Sequence, residues 1–367
     1  MPEQWSPNYT ITPAIANALM RIEAARVTVA HTPLLPAVEA RLREKARLRS
    51  THYSTYIEGN RLTLAETKEA VERQGIIFHG RERDVAEVRN YWHALHRVEE
   101  WAAKHQRFSE DLIRRLHALV VAGPRAIPTP YRDGQNAIRD SISGALVYLP
   151  PEAKDIPVLM AQLVRWVQSA EKTGLPVPLI AALTHYQFIT IHPYYDGNGR
   201  TARLLATFLL QRDGFGLNGF FSLEEHHARD LNAYYHALTT HSHHNYYFGR
   251  TEANLTSWLE YFVELLARVF TLAQEEVQAN AREILPVEPA VLRRLDHRAR
   301  TVIGLFTEHE TITTEMISRT LGLSPRMVRN LLASWIADGL IEVAESAKKS
   351  RTYRLSAEYR QFIGNST

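Results

Sequence analysis

The chain has 367 residues, enough for two or three domains, and its 45% hydrophobic and 23% charged residues are ordinary globular material able to bury a core. It has no cysteine, which excludes a disulfide scaffold and any thiol-based metal or nucleophile site. The formal net charge is only +3, yet residues 291–367 hold twelve Lys+Arg against eight Asp+Glu, so the basic excess sits at the C-terminal end, a hint of nucleic acid.

No apolar segment behind basic residues opens Met1–Val27, and no run reaches the length of a membrane span. The expectation is a cytoplasmic protein without membrane contact. Ile15, Leu19 and Ile22 stand at helical spacing and predict a helix over Ala14–Val29. From Leu34 the chain is strongly helical, with Val38, Leu42 and Leu48 among Arg41, Arg43, Glu44, Lys45, Arg47 and Arg49. That run ends at Ser54-Thr55-Tyr56-Ile57-Glu58-Gly59-Asn60. Ser54 and Glu58 share a helical face, and Gly59-Asn60 are residue types that end helices. A glutamate at a helix C-terminus opposes the dipole, and from composition alone Glu58 reads as solvated.

Further helices are expected over Thr63–Arg73, Val85–Trp101 and Phe108–Val121. Tyr131–Pro151 departs from this. Gln135-Asn136-Ala137-Ile138 and Ala145-Leu146-Val147-Tyr148-Leu149 are strand-like, with turn residues between them. A short hairpin in a helical protein is either a plain connector or an open edge that takes up an extended peptide. Helices follow over Ile156–Ala170 and Leu179–Ile191, where His185 reads as packed and structural. The helix from Thr201 ends near Asp213-Gly214, and Arg229–Leu238 and Leu255–Asn280 add more. His226, His227, His241, His243 and His244 match no common metal spacing and read as a solvated loop.

Ala281–Pro289 reads as a linker. Arg300–Phe306, Thr314–Leu321 and Arg326–Asp338 are then helices, with Ser324 capping the third and Pro325 at its first position. Strands Leu340–Ala344 and Thr352–Leu355 flank Lys348-Lys349-Ser350-Arg351. The pattern is a helix-turn-helix with a basic wing. Arg326, Arg329, Asn330, Lys348, Lys349 and Arg351 are candidate DNA contacts, although such modules also bind protein or dimerise.

The densest chemistry lies in His192-Pro-Tyr-Tyr-Asp-Gly-Asn-Gly-Arg-Thr-Ala-Arg203. Gly197-Asn198-Gly199 at a helix start can converge backbone N–H groups on an anion. Arg200 and Arg203 suit phosphate bidentately, Asp196 is a hard oxygen ligand for Mg²⁺, and His192 can take a proton from a hydroxyl. Together they fit a nucleotide phosphate chain attacked by a protein hydroxyl. There is no Gly-x-x-x-x-Gly-Lys-Ser/Thr, so this is not a P-loop.

Residues 192–203 resemble the signature of Fic proteins, His-x-Phe-x-(Asp/Glu)-Gly-Asn-x-Arg-x-x-Arg, with Tyr194 in place of Phe. The resemblance implies an all-α Fic fold with a short β-hairpin flap, followed here by a C-terminal winged helix-turn-helix. The expected domains are an N-terminal helical region over 1–105, a catalytic core with trailing helices over 106–285, and the winged module over 290–367. It implies transfer of AMP from ATP to Ser, Thr or Tyr hydroxyls of proteins, the chain itself among them, by a homodimer. His192 would be the base and Asp196 would hold Mg²⁺. Gly197, Asn198 and Gly199 would cradle the α- and β-phosphates, Arg200 would steady the chain, and Arg203 would bind the γ-phosphate. Asn232, Tyr234 and Tyr235 stand where an adenine site could lie. Gly199 counts against the kinase branch, Doc, which carries Lys there. Ser54-x-x-x-Glu58-Gly59 resembles the family's inhibitory motif, whose glutamate would pair with Arg203. In some relatives that glutamate helps water remove AMP, so the reverse activity stays open. Gln135, Asn136, Ala137, Ile138, Val147 and Tyr148 would form the flap that registers the target. The alternatives are a DNA-binding regulator whose Fic domain only senses nucleotide, and transfer of another phosphate-containing group.

Overall fold

The computed structural model describes residues 5–73, 75–125, 127–139, 143–283, 292, 295–345 and 351–360. The chain divides into two compact units, Met1–Val27 with Ala46–Ala273, and Thr28–Lys45 with Gln274–Thr367. Of the N-terminal residues, 1–27 and 46–105 fall in the first unit together with residues 192–203, and 28–45 fall in the second. Among the described residues no helix is long and apolar enough to cross a membrane.

Helices dominate the first unit. In chain order the helices up to residue 283 are α1 (Pro13–His31), α2 (Pro36–Ile57), α3 (Leu64–Glu72), α4 (Glu82–Ala103), α5 (Glu110–Ala122), α6 (Ile156–Ala170), α7 (Val177–Ile191), α8 (Asn198–Arg212), α9 (Leu223–Arg229), α10 (Leu231–Leu238) and α11 (Thr256–Glu283), of which residues 28–31, 36–45 and 274–283 fall in the second unit. α7 is apolar on every side, and all but two of its fifteen residues are buried, as a central helix requires. α8 packs along it, with Leu204, Leu205, Phe208 and Leu209 fully buried, and α4 and α5 also pack on α8. Local signals set the entries. Thr63 accepts from Glu66 N–H while Glu66 bonds back to Thr63, a capping box at the start of α3.

The single helix expected over Arg229–Leu238 is two. Asp230 leaves helical geometry (φ −141°, ψ 77°) and its side chain caps α10 through Ala233 N–H. α9 begins earlier, where Ser222 accepts from Glu225 N–H. The Ser-x-x-Glu spacing there was a legible signal. α8 likewise starts at Asn198, not Thr201, because Gly197 takes the left-handed N-cap (φ 76°).

β1 (Ile138–Arg139) and β2 (Leu146–Tyr148) form the antiparallel hairpin, with Ile138 opposite Tyr148. The outer edge of β2 is covered just past its end. His244–Tyr246 runs beside it, with Leu149 N–H bonded to the His244 carbonyl at 2.7 Å and Tyr246 N–H to the Leu149 carbonyl at 3.0 Å. Among the described residues β1 has no strand on its other side, whereas β2 has this bridge just past its end.

In the second unit α12 (His297–Ile303), α13 (Thr314–Leu321) and α14 (Pro325–Ala337) pack over a three-stranded antiparallel sheet, ordered β3 (Ile312–Thr313), β5 (Thr352–Leu355), β4 (Ile341–Glu345). Val328, Leu332 and Trp335 of α14 join Ile303, Ile317, Ile341 and Tyr353 in its core. Ser324 caps α14 through Met327 N–H and Pro325 opens it. Most of the expected linker, residues 284–289, and Lys348 and Lys349 lie outside the described residues.

Candidate functional site

The site is assembled where α7 hands over to α8. His192 ends α7 in a left-handed conformation (φ 50°, ψ 60°), its N–H bonded to the Phe188 carbonyl at 3.0 Å. Its ring Nδ1 lies 3.3 Å from the Ile189 carbonyl. A carbonyl only accepts, so the proton sits on Nδ1 and Nε2 keeps a free lone pair. Burial pushes the imidazole down to about 4, partly offset by the Ile189 carbonyl. The near-neutral value of a free histidine does not carry over. The ring is neutral at pH 7 and ready to accept a proton.

Asp196 follows on the same turn. Its Oδ1 accepts from Gly197 N–H at 2.6 Å and from Arg200 Nη2 at 3.1 Å, and Arg83 of α4 stands 3.7 Å from Oδ2. Burial would raise this carboxyl, but Arg200, the Gly197 N–H and Arg83 together hold it below the usual range. Its side chain is 61% exposed, so the carboxylate faces solvent while tethered from behind. The Asp196 carbonyl accepts from His117 Nε2 at 2.8 Å. A side chain at residue 197 would meet Val121 and His117, so the left-handed Gly197 also provides close packing.

Asn198 opens α8 with its side chain turned back on the loop before it. Its side-chain oxygen accepts from Tyr194 N–H at 3.0 Å and its amide donates to the Tyr194 carbonyl at 2.8 Å. The buried side chain staples the loop to α8 and is not turned toward a ligand. Only backbone N–H groups at residues 198–200 remain to form an anion cradle. Arg200 is almost fully buried, facing Asp196 and, at 3.8 Å, Glu87.

The two ends of the first unit's chemistry meet at Arg203. Its guanidinium donates through Nε to Ser54 Oγ at 2.9 Å, and through Nη2 to the Ser54 carbonyl at 2.8 Å and to Glu58 Oε1 at 2.9 Å. Glu58 sits just past the last residue of α2, where the dipole disfavours it, and Arg203 supplies the compensating charge. Composition alone made Glu58 a solvated residue; here it is an ion-pair partner with a side chain only 29% exposed. Its Oε1 lies 2.2 Å from where a Cβ at Gly199 would stand, so the carboxylate rests on the first turn of α8.

The residues considered for adenine separate. Tyr234 is buried, its hydroxyl 2.9 Å from His185 Nε2, and it is part of the core behind Arg203 instead of a ligand surface. Asn232 and Tyr235 are exposed on α10. His227 is not solvated either. It is buried among Tyr234, Tyr261 and Phe262, with Nδ1 3.0 Å from the Tyr261 hydroxyl. His244 Nδ1 meets the Val147 carbonyl at 2.8 Å. Of the flap residues, Gln135 Nε2 donates to the Pro150 carbonyl, Asn136 reaches the Tyr194 carbonyl at 3.4 Å, and the Tyr148 hydroxyl donates to the Thr190 carbonyl at 2.7 Å. Ala137 and Ile138 lead into β1, and Val147 is exposed on β2.

Sequence reasoning missed three supports. Arg132 donates to the His192 carbonyl at 3.0 Å, His117 holds the Asp196 carbonyl, and the buried Glu224 accepts from Ser50 at 2.8 Å and Tyr91 at 3.0 Å. All three act on partners 60 to 174 residues away and stand in no motif. In the second unit Arg326, Arg329 and Asn330 are exposed on α14, and Arg351 is exposed with its guanidinium 5.9 Å from the Tyr353 ring centre.

Residues 107–210 match the Fic/DOC family. The chain is 29% identical over 175 residues to a protein of Drosophila virilis named protein adenylyltransferase Fic, and 31% identical over 179 residues to the one so named in Nematostella vectensis. These matches take in 48% and 47% of this chain but only 35% and 39% of the relatives, so the chain matches little more than a third of their length. The crystal structure of a Fic family protein from Desulfovibrio desulfuricans superimposes with a TM-score of 0.60 at 26% identity, covering 96% of this chain and 99% of that one. A Fic domain containing signaling protein from Bacteroides thetaiotaomicron superimposes with a TM-score of 0.60 at 25% identity, over 72% of this chain and 97% of that one.

Proposed function

The chain carries a Fic domain, and on that premise we propose that it is a protein adenylyltransferase, moving AMP from ATP to a Ser, Thr or Tyr hydroxyl of a protein. The observation that carries the reading is the free Nε2 of His192 beside a helix N-terminus flanked by two buried arginines. The hydroxyl oxygen attacks the α-phosphorus as Nε2 takes its proton. The bond from the α-phosphorus to the bridging oxygen breaks, and pyrophosphate leaves with the electron pair. The N–H groups at the start of α8 and Arg200 balance the charge on the phosphate chain, and Arg203 binds its γ end. Asp196 suits Mg²⁺, since one solvent-facing carboxylate with substrate phosphates is how that ion is commonly held; there the ion would supply further charge neutralisation.

The resting chain is autoinhibited in this reading. Glu58 and the γ-phosphate compete for one guanidinium, so ATP binds out of line for transfer. A hydrogen bond to a charged group is worth roughly 1.5–3 kcal/mol, so Glu58→Gly is expected to raise transfer by about tenfold or more. The same carboxylate could orient water for removal of AMP. The flap presents the target along β1, which has no strand on its other side among the described residues. The second unit, with its helix pair and three-stranded sheet, is read as a winged helix, with DNA along α14 as the competing function.

Wild type, His192→Ala and Glu58→Gly, each incubated with candidate targets and ATP labelled at the α- or γ-phosphate, test this. α-Label on protein, strongest with Glu58→Gly and absent with His192→Ala, is expected. γ-Label identifies a kinase instead, and no label from either position leaves the regulator reading. A Glu58→Gly chain no more active than wild type sinks the autoinhibition.

A further inference from the structure

Arg132 is 3% exposed, yet no carboxylate faces it among the described residues. Burying a guanidinium without an anion is costly unless its donors are met. Here main-chain carbonyls from three separate turns meet them. Nε donates to the His192 carbonyl at 3.0 Å, Nη1 to the Gly134 carbonyl at 2.7 Å and Nη2 to the Pro151 carbonyl. The Arg132 N–H adds a fourth tie, to the Pro193 carbonyl at 2.9 Å. Gly134 and Pro151 are the two feet of the β1–β2 hairpin, and His192 is the left-handed residue that ends α7. A non-glycine residue in that conformation is strained, and such strain persists only where the surroundings hold it. One side chain therefore grips the strained turn of the base and both feet of the hairpin.

We propose that Arg132 is a positioning residue that sets His192 against the hairpin, and so sets the base against the hydroxyl of a protein segment registered on the β1 edge. The proposal rests on the adenylyl-transfer reading above. It concerns geometry and not charge alone, because only a planar fork with donors on three nitrogens reaches three carbonyls at once. Lysine keeps the charge and has one nitrogen.

The test uses the full chain carrying Glu58→Gly, compared with the same chain plus Arg132→Lys or Arg132→Gln. ATP affinity, kcat and KM for α-label transfer, amide hydrogen exchange of residues 138–139 and 146–149, and the ring nitrogen shifts of His192 are measured. With Arg132→Lys, ATP affinity is expected to stay within about twofold while kcat falls on the order of a hundredfold, the scale of an ångström's misplacement. Hairpin amides exchange faster, and His192 loses its single Nδ1–H form. Retained hairpin protection with an unchanged ring overturns the proposal. So does a joint collapse of melting temperature and ATP affinity in both variants, which would make Arg132 a support of the fold alone. If the Glu58→Gly parent itself transfers no label, the activity reading fails, and the exchange and ring signals still decide whether Arg132 joins the two elements.

Discussion

The phenol of Tyr194 stacks on the His117 ring at a centroid distance of 3.5 Å, and its buried hydroxyl has no hydrogen-bond partner among the described residues. A polar atom taken out of water without a partner costs about 1–3 kcal/mol. Phenylalanine would keep the stack and remove the cost. Tyr194→Phe is expected to raise stability by about 1 kcal/mol, or the melting temperature by about 2–4 °C. A calorimetric scan showing a lower transition would mean the hydroxyl has found a partner and that this account of residue 194 is wrong. At this scale the motif was legible in the sequence, because His192, Asp196, Arg200 and Arg203 lie within one turn and two helical steps of each other. The use of Asn198 was not, since an amide that staples its own loop and one that faces a phosphate have the same spacing.

Glu58 directly follows α2, and the hold of residues 46–57 on the rest of the first unit decides how firmly it is presented. Four side chains of one helical stretch anchor it: Arg47 to Glu99 at 2.7 Å, Arg49 to Glu225 at 2.9 Å, Ser50 to Glu224 at 2.8 Å, and Ser54 to Arg203 at 2.9 Å. Glu224 is the deepest of these anchors, and it also takes the Tyr91 hydroxyl of α4. Glu224→Ala strands the Ser50 and Tyr91 hydroxyls in the interior. It is expected to lower stability by about 2 kcal/mol and to raise AMP transfer toward the level of Glu58→Gly, because α2 no longer holds its carboxylate on Arg203. A destabilised variant with resting transfer rates would show that α2 is positioned without Glu224. Helix positions were readable from apolar spacing; the anchors were not, because each pairs α2 with a residue far along the chain. The break at Asp230 and the two-residue β3 also escaped, as neither spans a full period of its pattern.

Across the whole chain, buried histidines set the response to acid. Burial pushes His117 and His192 down to about 4 and His185 down to about 3, and it lowers His227 well below its ordinary value of 6.5. In the unfolded chain each takes a proton near 6.5, so between 6.5 and about 4 the unfolded state binds more protons than the folded one. The stability these groups contribute is complete above 6.5 and is lost as pH falls through that window, by on the order of 1.4 kcal/mol per pH unit for each fully buried ring. Urea midpoints measured at pH 7, 6 and 5 are expected to fall steeply, before the carboxylates begin to titrate. Equal midpoints at pH 7 and 5 would contradict the neutral burial of these rings. The same burial keeps His192 neutral, and so a proton acceptor, at pH 7.

Gly199 is not in the left-handed region, so its backbone would accept alanine without strain. A methyl group there would meet the Glu58 carboxylate, the far end of a side chain that would have to turn away. The missing side chain leaves the space in which the Glu58 carboxylate rests. Gly199→Ala is expected to evict the carboxylate and raise AMP transfer while every charged residue of the site stays in place. If labelled transfer is unchanged by that methyl group, the carboxylate has another place to rest.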